Sequence, residues 1–302
     1  MNVGADKVEL LDPKVDFVFK RIFGSENNKD VLLDFLNAIF ADAGEAPLTE
    51  IVLLNPYTDK DAPLDKQSIF DVFARAADGR LIDIEMQLFN KYDIEKRTLY
   101  YWSRRYSGQL AEGQGYRSLG KCVTINLLNY KLLGGTTACH SVFHLREDRS
   151  GLPLTDDIEV HMLELPKLKA DAAGHSGKTL AKWLTFLREG DISSWEAREM
   201  ENEAAIQKAF ETLKYLSQDS EARMQYEARQ KFLHDEASMI NGARREGLKE
   251  GLEQGAAGKA KTVALKMLAK GMEPALVAEL TGLASEEIRR LTEGQGSGKD
   301  DQ

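Results

Sequence analysis

Residues 80–89, RLIDIEMQLF, alternate apolar and polar side chains with a period of two, and they follow a strand-like run, SIFDVFARA at 68–76, across the tight turn ADGR. Alternate residues of a strand face the same side. Ile82, Ile84, Met86 and Leu88 therefore form one face, and Asp83, Glu85 and Gln87 the other. In the first run Phe70, Val72 and Ala74 share a face, opposite Ile69, Asp71 and Phe73. A turn this short joins antiparallel neighbours, and that pairing brings Asp71 near Glu85 or Asp83. Acidic residues are depleted from strands, and carboxylates side by side on a sheet repel. Two readings follow: the acids are the solvated face of an amphipathic hairpin, or they hold a divalent cation that turns repulsion into binding. Oxygen ligands point to magnesium, with manganese or calcium as substitutes, and away from zinc.

Around this hairpin the chain alternates helix and strand signals. PKVDFVFKRIFG at 13–24 has a helical apolar face in Val15, Phe19 and Ile22, with Pro13 suited to a first turn and Gly24 to an end. A second helix is expected at about 29–41, a strand at 51–54, and an antiparallel meander through 89. Residues 93–112 have helical length, with Asp93 placed to cap the start and Gly113 to end it. That helix carries Arg97, Tyr101 and Arg105 four apart, with Tyr100 and Arg104 beside them. Arginine suits phosphate geometry and aromatic rings stack on bases; a solvated arginine face with core aromatics is the alternative. KCVTINLLNYKLL at 121–133 reads as a buried strand, and 140–147 and 157–165 as further strands.

Beyond about residue 175 strand candidates end, and helices are expected near 178–189, 194–216 and 219–241. Gly247, Gly251 and Gly255 recur every fourth residue, which serves either close helix pairing, as in a homodimer, or a glycine-weakened linker. The tail reads as three short helices punctuated by Gly271, Pro274 and Gly282, with Ser285 as an N-cap. This is a helix-turn-helix-like pattern. Its Lys266, Lys270, Arg289 and Arg290 are balanced by Glu273, Glu279, Glu286 and Glu287, which favours an oligomerisation or docking bundle over DNA reading. The expected division is 1–170, 175–258, 259–293 and a disordered end at 294–302.

A net charge of −9 argues against a uniformly basic coat, although a local basic patch would suffice for phosphates. No run approaches the roughly 18 apolar residues of a membrane span, and the first residues lack a signal peptide's pattern. A cytoplasmic protein is expected. Cys122 and Cys139 have no metal-like spacing and read as small buried hydrophobes.

The succession VDFVFKRIFG, FDVFA, IEMQ and KRTLYYWSRRYSGQL resembles the Rpn-like, recombination-promoting nuclease and transposase branch of the PD-(D/E)XK nucleases, over about residues 12–135. The resemblance implies an α+β fold with a mixed central sheet flanked by helices, followed by an all-helical C-terminal region. It implies a magnesium-dependent DNA endonuclease of low sequence specificity, linked to recombination, horizontal DNA transfer or phage defence. Asp71 and Glu85 would bind the metal, and Gln87 would stand where the wider superfamily has lysine. Arg97, Tyr101 and Arg105 would contact DNA. Asp16 and Lys20 match the branch's first-helix pattern and either line the site or serve packing and capping; Tyr100 and Asp83 are further candidates for its lining. Some members are restrained by a separately made C-terminal fragment, which makes Met200, Met224 and Met239 candidate internal starts. Two other functions stay open: a catalytically weak DNA-binding or assembly protein that keeps the fold, and a strand-transferring DNA transposase.

Overall fold

The structure is a computed structural model, and it describes residues 9–54, 71–168, 177–193, 195 and 203–296. Its sheet has six strands, β1 (Ile51–Leu53), β2 (Val72–Ala76), β3 (Leu81–Gln87), β4 (Cys122–Leu128), β5 (His140–His144) and β6 (Ile158–Glu164), in the order β1-β2-β3-β4-β6-β5. The first three strands form the expected antiparallel meander. β3, β4 and β6 run parallel, and β5 closes the far edge antiparallel to β6. The turn between β2 and β3 is closed by the Gly79 N–H on the Ala76 carbonyl at 2.9 Å, with Gly79 at φ +93°, where a side chain would be strained.

β3 lies inside the sheet, so both its faces are covered. Ile82, Ile84 and Met86 join Val123, Ile125, Leu127 and Leu163 in the main core. Over that face pack α1 (Asp16–Phe23), α2 (Lys29–Asp42), α4 (Lys178–Glu189) and α5 (Ala204–Gln218). Fully buried residues of these helices recur at the three- and four-residue spacing of one helical face: Phe19, Ile22 and Phe23 in α1, and Leu32, Phe35, Leu36 and Ile39 in α2. Their rings meet Trp183 of α4, with Phe35 at 5.3 Å and Phe23 at 5.6 Å between centroids. The Trp183 indole N–H donates to Asp34 at 2.8 Å. The other sheet face lies under α3 (Ile94–Ser107), whose Trp102 indole donates to the Cys122 carbonyl at 3.2 Å. Thr98 of the same helix donates to Asn126 at 3.1 Å. Both cysteines are buried and unbridged, as read from the sequence.

Several boundaries differ from expectation. α3 stops at Ser107 and not near 112, because Gly108 already closes it with an N–H bond to the Arg104 carbonyl; Gly113 forms a separate turn at φ +82°. Asp93 precedes α3, but its side chain makes no capping bond. β4 ends at Leu128, since the chain then turns to place the Leu132 and Leu133 N–H groups on the Glu164 carboxylate. The polar helices after 219 are one 50-residue helix, α6 (Ser220–Ala269). A side chain added at Gly247, Gly251 or Gly255 would meet nothing within 4 Å, so these glycines neither break the helix nor seat another described segment. α8 (Ser285–Gly296) takes Ser285 as its first helical residue, with the Ala284 carbonyl accepting the first bonds. Residues 68–70 of the first strand run, Met200 and the end beyond 296 lie outside the described residues.

The chain divides into two compact units, Met1–Leu233 and His234–Gln302. In the second, the end of α6, α7 (Pro274–Thr281) and α8 enclose a small core of Ala264, Val277 and Ile288. No described helix is long and apolar enough to cross a membrane.

Buried polar groups on the main-core side form a line: Asp42 to His140 at 2.5 Å, His140 to His161 at 2.9 Å, and His161 to Glu159 at 2.5 Å. Burial holds the His161 pKa below the ordinary imidazole value. For Glu159 burial works upward, but hydrogen bonds with His161, Glu45 and Lys121 hold the carboxyl well below its usual range. Both folded values lie below their unfolded ones, so this contribution is complete above about pH 6.5 and is lost as pH falls. We expect the urea midpoint to decline below about pH 6, and the decline to be shallower in His161→Gln; equal declines in the two proteins would assign the acid sensitivity elsewhere.

Candidate metal and nucleic-acid site

Asp71 is the residue before β2, and the register Val72 opposite Ile84 sets it beside the Glu85 end of β3. Its Oδ2 accepts the Met86 N–H at 2.7 Å, which fixes the carboxylate against β3. Lys20, from α1, places its ammonium 3.7 Å from Asp71 Oδ1. Glu85 is 1% exposed. Its Oε2 accepts from the Gln87 amide at 2.9 Å and faces the Arg97 guanidinium at 3.3 Å, while Oε1 has no hydrogen-bond partner. Asp71, Glu85, Gln87, Arg97 and Lys20, distant in sequence, thus meet at one place.

Burial is the first cause of the acids' altered proton affinity. It pushes Asp71 up to about 6, against the Met86 N–H and the charge of Lys20. It pushes Glu85 up to about 7, partly offset by Arg97. A buried carboxylate with an unmatched oxygen is costly. Oxygen-only donors in such a pair fit a hard divalent cation.

Asp83 departs from the reading of a solvated polar face. It is 4% exposed, with both carboxylate oxygens lacking hydrogen bonds. Burial, then the charge of Glu85, raises it well above the usual carboxylate range, and Arg105 works the other way. The hairpin pattern was compatible with water on that face; α3 and the parallel strand β4 exclude it. Arg105 lies 3.9 Å over the ring of Phe73, the register partner of Asp83. Arg97 lies 5.1 Å from the Tyr101 ring, and Tyr100 is exposed. Asp16 is turned to α6, where Arg229 grips it at 2.7 and 2.9 Å.

A second group of donors had no sequence signal: His144, Asp156 and Glu159 have donor atoms within 4.8 Å of one another. Lys121 already sits among them, 2.6 Å from Glu159 and 3.2 Å from Asp156. Their spacing follows from the pairing of β5 with β6, which no local pattern reveals.

A mixed sheet flanked by helices, with paired acids at the meeting of β2 and β3, defines a protein of the PD-(D/E)XK nuclease class. Residues 13–243 match the PD-(D/E)XK nuclease family transposase model, and the chain belongs to that family. Residues 258–293 match the C-terminal HTH domain of the Rpn/YhgA-like nuclease family, which gives the tail the helix-turn-helix form indicated by its glycine and proline punctuation. Comparisons with curated proteins and with solved structures returned no match.

Proposed function

We propose that this protein is a metal-dependent DNA endonuclease that hydrolyses phosphodiester bonds with little sequence specificity. The observation that carries the reading is the convergence of a part-buried Asp71 and a fully buried Glu85, with one Glu85 oxygen unmatched. Asp71 and Glu85 would hold a magnesium ion, which would polarise a phosphoryl oxygen and activate water. Gln87 spends one amide hydrogen on Glu85 and has a second with which to orient the attacking water. Arg97 offers its guanidinium fork to a flanking phosphate, with Tyr101 beside it. Arg105, the further arginine of that helix face, lies over the Phe73 ring beside Asp83. Contacts of this kind address the backbone and carry no base readout; the HTH domain supports DNA as the polymer.

One observation favours a non-cleaving DNA-binding protein: Lys20 and Arg97 already stand against the two acids. Supercoiled plasmid incubated with Mg²⁺ or Mn²⁺ separates the readings. We expect nicked and then linear product, none in chelator. Retarded but intact plasmid would support binding alone, and joined ends would support strand transfer.

A further inference from the structure

We propose that Lys20, carried on α1, supplies the fixed positive charge at the reaction centre that Gln87 does not. The inference rests on the nuclease reading. Hydrolysis of a phosphodiester builds negative charge on the phosphoryl and attacking oxygens, and preorganised cations or donors aimed at it lower the barrier. On β3 the position two residues after Glu85 is an uncharged amide, already donating to Glu85. Three described cations border the acids. Arg105 lies over Phe73 beside Asp83, and Arg97 shares Glu85 Oε2 with the Gln87 amide. Lys20 faces Asp71 instead.

The placement of Lys20 is built into the fold. Phe19, Ile22 and Phe23 are fully buried, which fixes the rotation of α1. The helix ends at Gly24, whose N–H closes on the Lys20 carbonyl at 2.8 Å. A Cβ at Gly24 would lie 2.9 Å from that oxygen and 3.5 Å from Val72, so the bare glycine lets α1 end against the residue next to Asp71. One turn earlier, Asp16 is gripped by Arg229 at 2.7 Å. At 3.7 Å the Lys20 and Asp71 pair is Coulombic and longer than a hydrogen bond, and the side chain is 34% exposed. A compact ammonium with three rotatable donors in that position can meet both a phosphoryl oxygen and an attacking one.

Lys20→Gln tests this, with Lys20→Gln/Gln87→Lys as the second variant. We expect Lys20→Gln to cut the cleavage rate about 10²–10³-fold, to leave the thermal midpoint unchanged, and to bind Mn²⁺ by calorimetry no more weakly than the parent protein. Restoring a lysine at position 87 should recover at least about tenfold of the rate. Cleavage by Lys20→Gln within about threefold of the parent would overturn the inference. So would a parallel loss of Mn²⁺ affinity, which would make Lys20 a holder of Asp71 only, or a double variant as slow as the single one. A parent protein that cleaves nothing with either metal removes the nuclease reading and this inference together; equal cleavage by parent and variant removes this inference alone.

Discussion

Alanine at Asp71 or at Glu85 is expected to lower plasmid cleavage by at least about 10³-fold, beyond the loss seen when one electrostatic stabiliser is removed from an active site. Each alanine also disturbs the apo site: Asp71→Ala orphans the Met86 N–H, and Glu85→Ala leaves Gln87 and Arg97 without their acceptor. Asp71→Asn and Glu85→Gln are the cleaner variants, because the amide oxygen can still accept those bonds while the negative charge is gone. Both should be as inactive as the alanines and melt no lower than the parent. Nicking that persists in both amide variants would move the reaction away from this pair, with the His144, Asp156 and Glu159 group the next place to look.

A second large effect concerns stability, with a pH sign opposite to that of the His161 network. Asp71 and Glu85 titrate at about 6 and about 7 in the folded protein, above their unfolded values of about 3.9 and 4.3. The stability they confer as neutral acids is complete below the unfolded values and is lost as pH rises through the folded ones. Each pKa unit corresponds to about 1.4 kcal/mol, so ionising both acids without a cation costs a few kcal/mol. We expect the difference in midpoint between Asp71→Asn/Glu85→Gln and the parent, in chelator, to favour the double variant more at pH 8 than at pH 5.5. A divalent cation binds the ionised pair, so Mn²⁺ should raise the parent's midpoint strongly at pH 8 and little at pH 5.5. At a hundredfold excess over Kd the gain is about 2.7 kcal/mol. Equal Mn²⁺ shifts at the two pH values, or an undiminished shift in the double variant, would show that the ion binds elsewhere.

The hairpin was legible because its information is local: the two-residue alternation and the glycine turn together determine which residues of β2 and β3 share a face. Asp71 beside Glu85 followed from that register, and the helices and strands up to Glu164 followed from their apolar periodicity. What escaped was set by distant partners. Asp83 has the pattern of a solvated residue, and only the pairing of β3 with β4 under α3 buries it. Arg105 reads as a second phosphate contact eight residues from Arg97, and its guanidinium lies over the Phe73 ring, a contact across elements that no spacing within α3 reveals. The link of Asp16 to Arg229 spans 213 residues, beyond any spacing rule. In α6 the glycines suggested interruption, but each costs only about 1 kcal/mol, and the helix formers between them sustain the run. The resemblance to the nuclease branch is borne out by the family match over 13–243.

Two of the three indoles, Trp183 and Trp102, are built-in optical reporters on separate parts of the nuclease-like unit. Trp183, wholly buried against Phe35 and bonded to Asp34, will emit as a core fluorophore until the helices over the main core separate. Trp102 is half-buried, stacked on Tyr106 at 4.8 Å, and shares α3 with Arg97. Its emission is therefore coupled to the helix that carries Arg97 against Glu85. With Trp183→Phe/Trp195→Phe, the remaining signal of Trp102 would report on α3 in solution without any label.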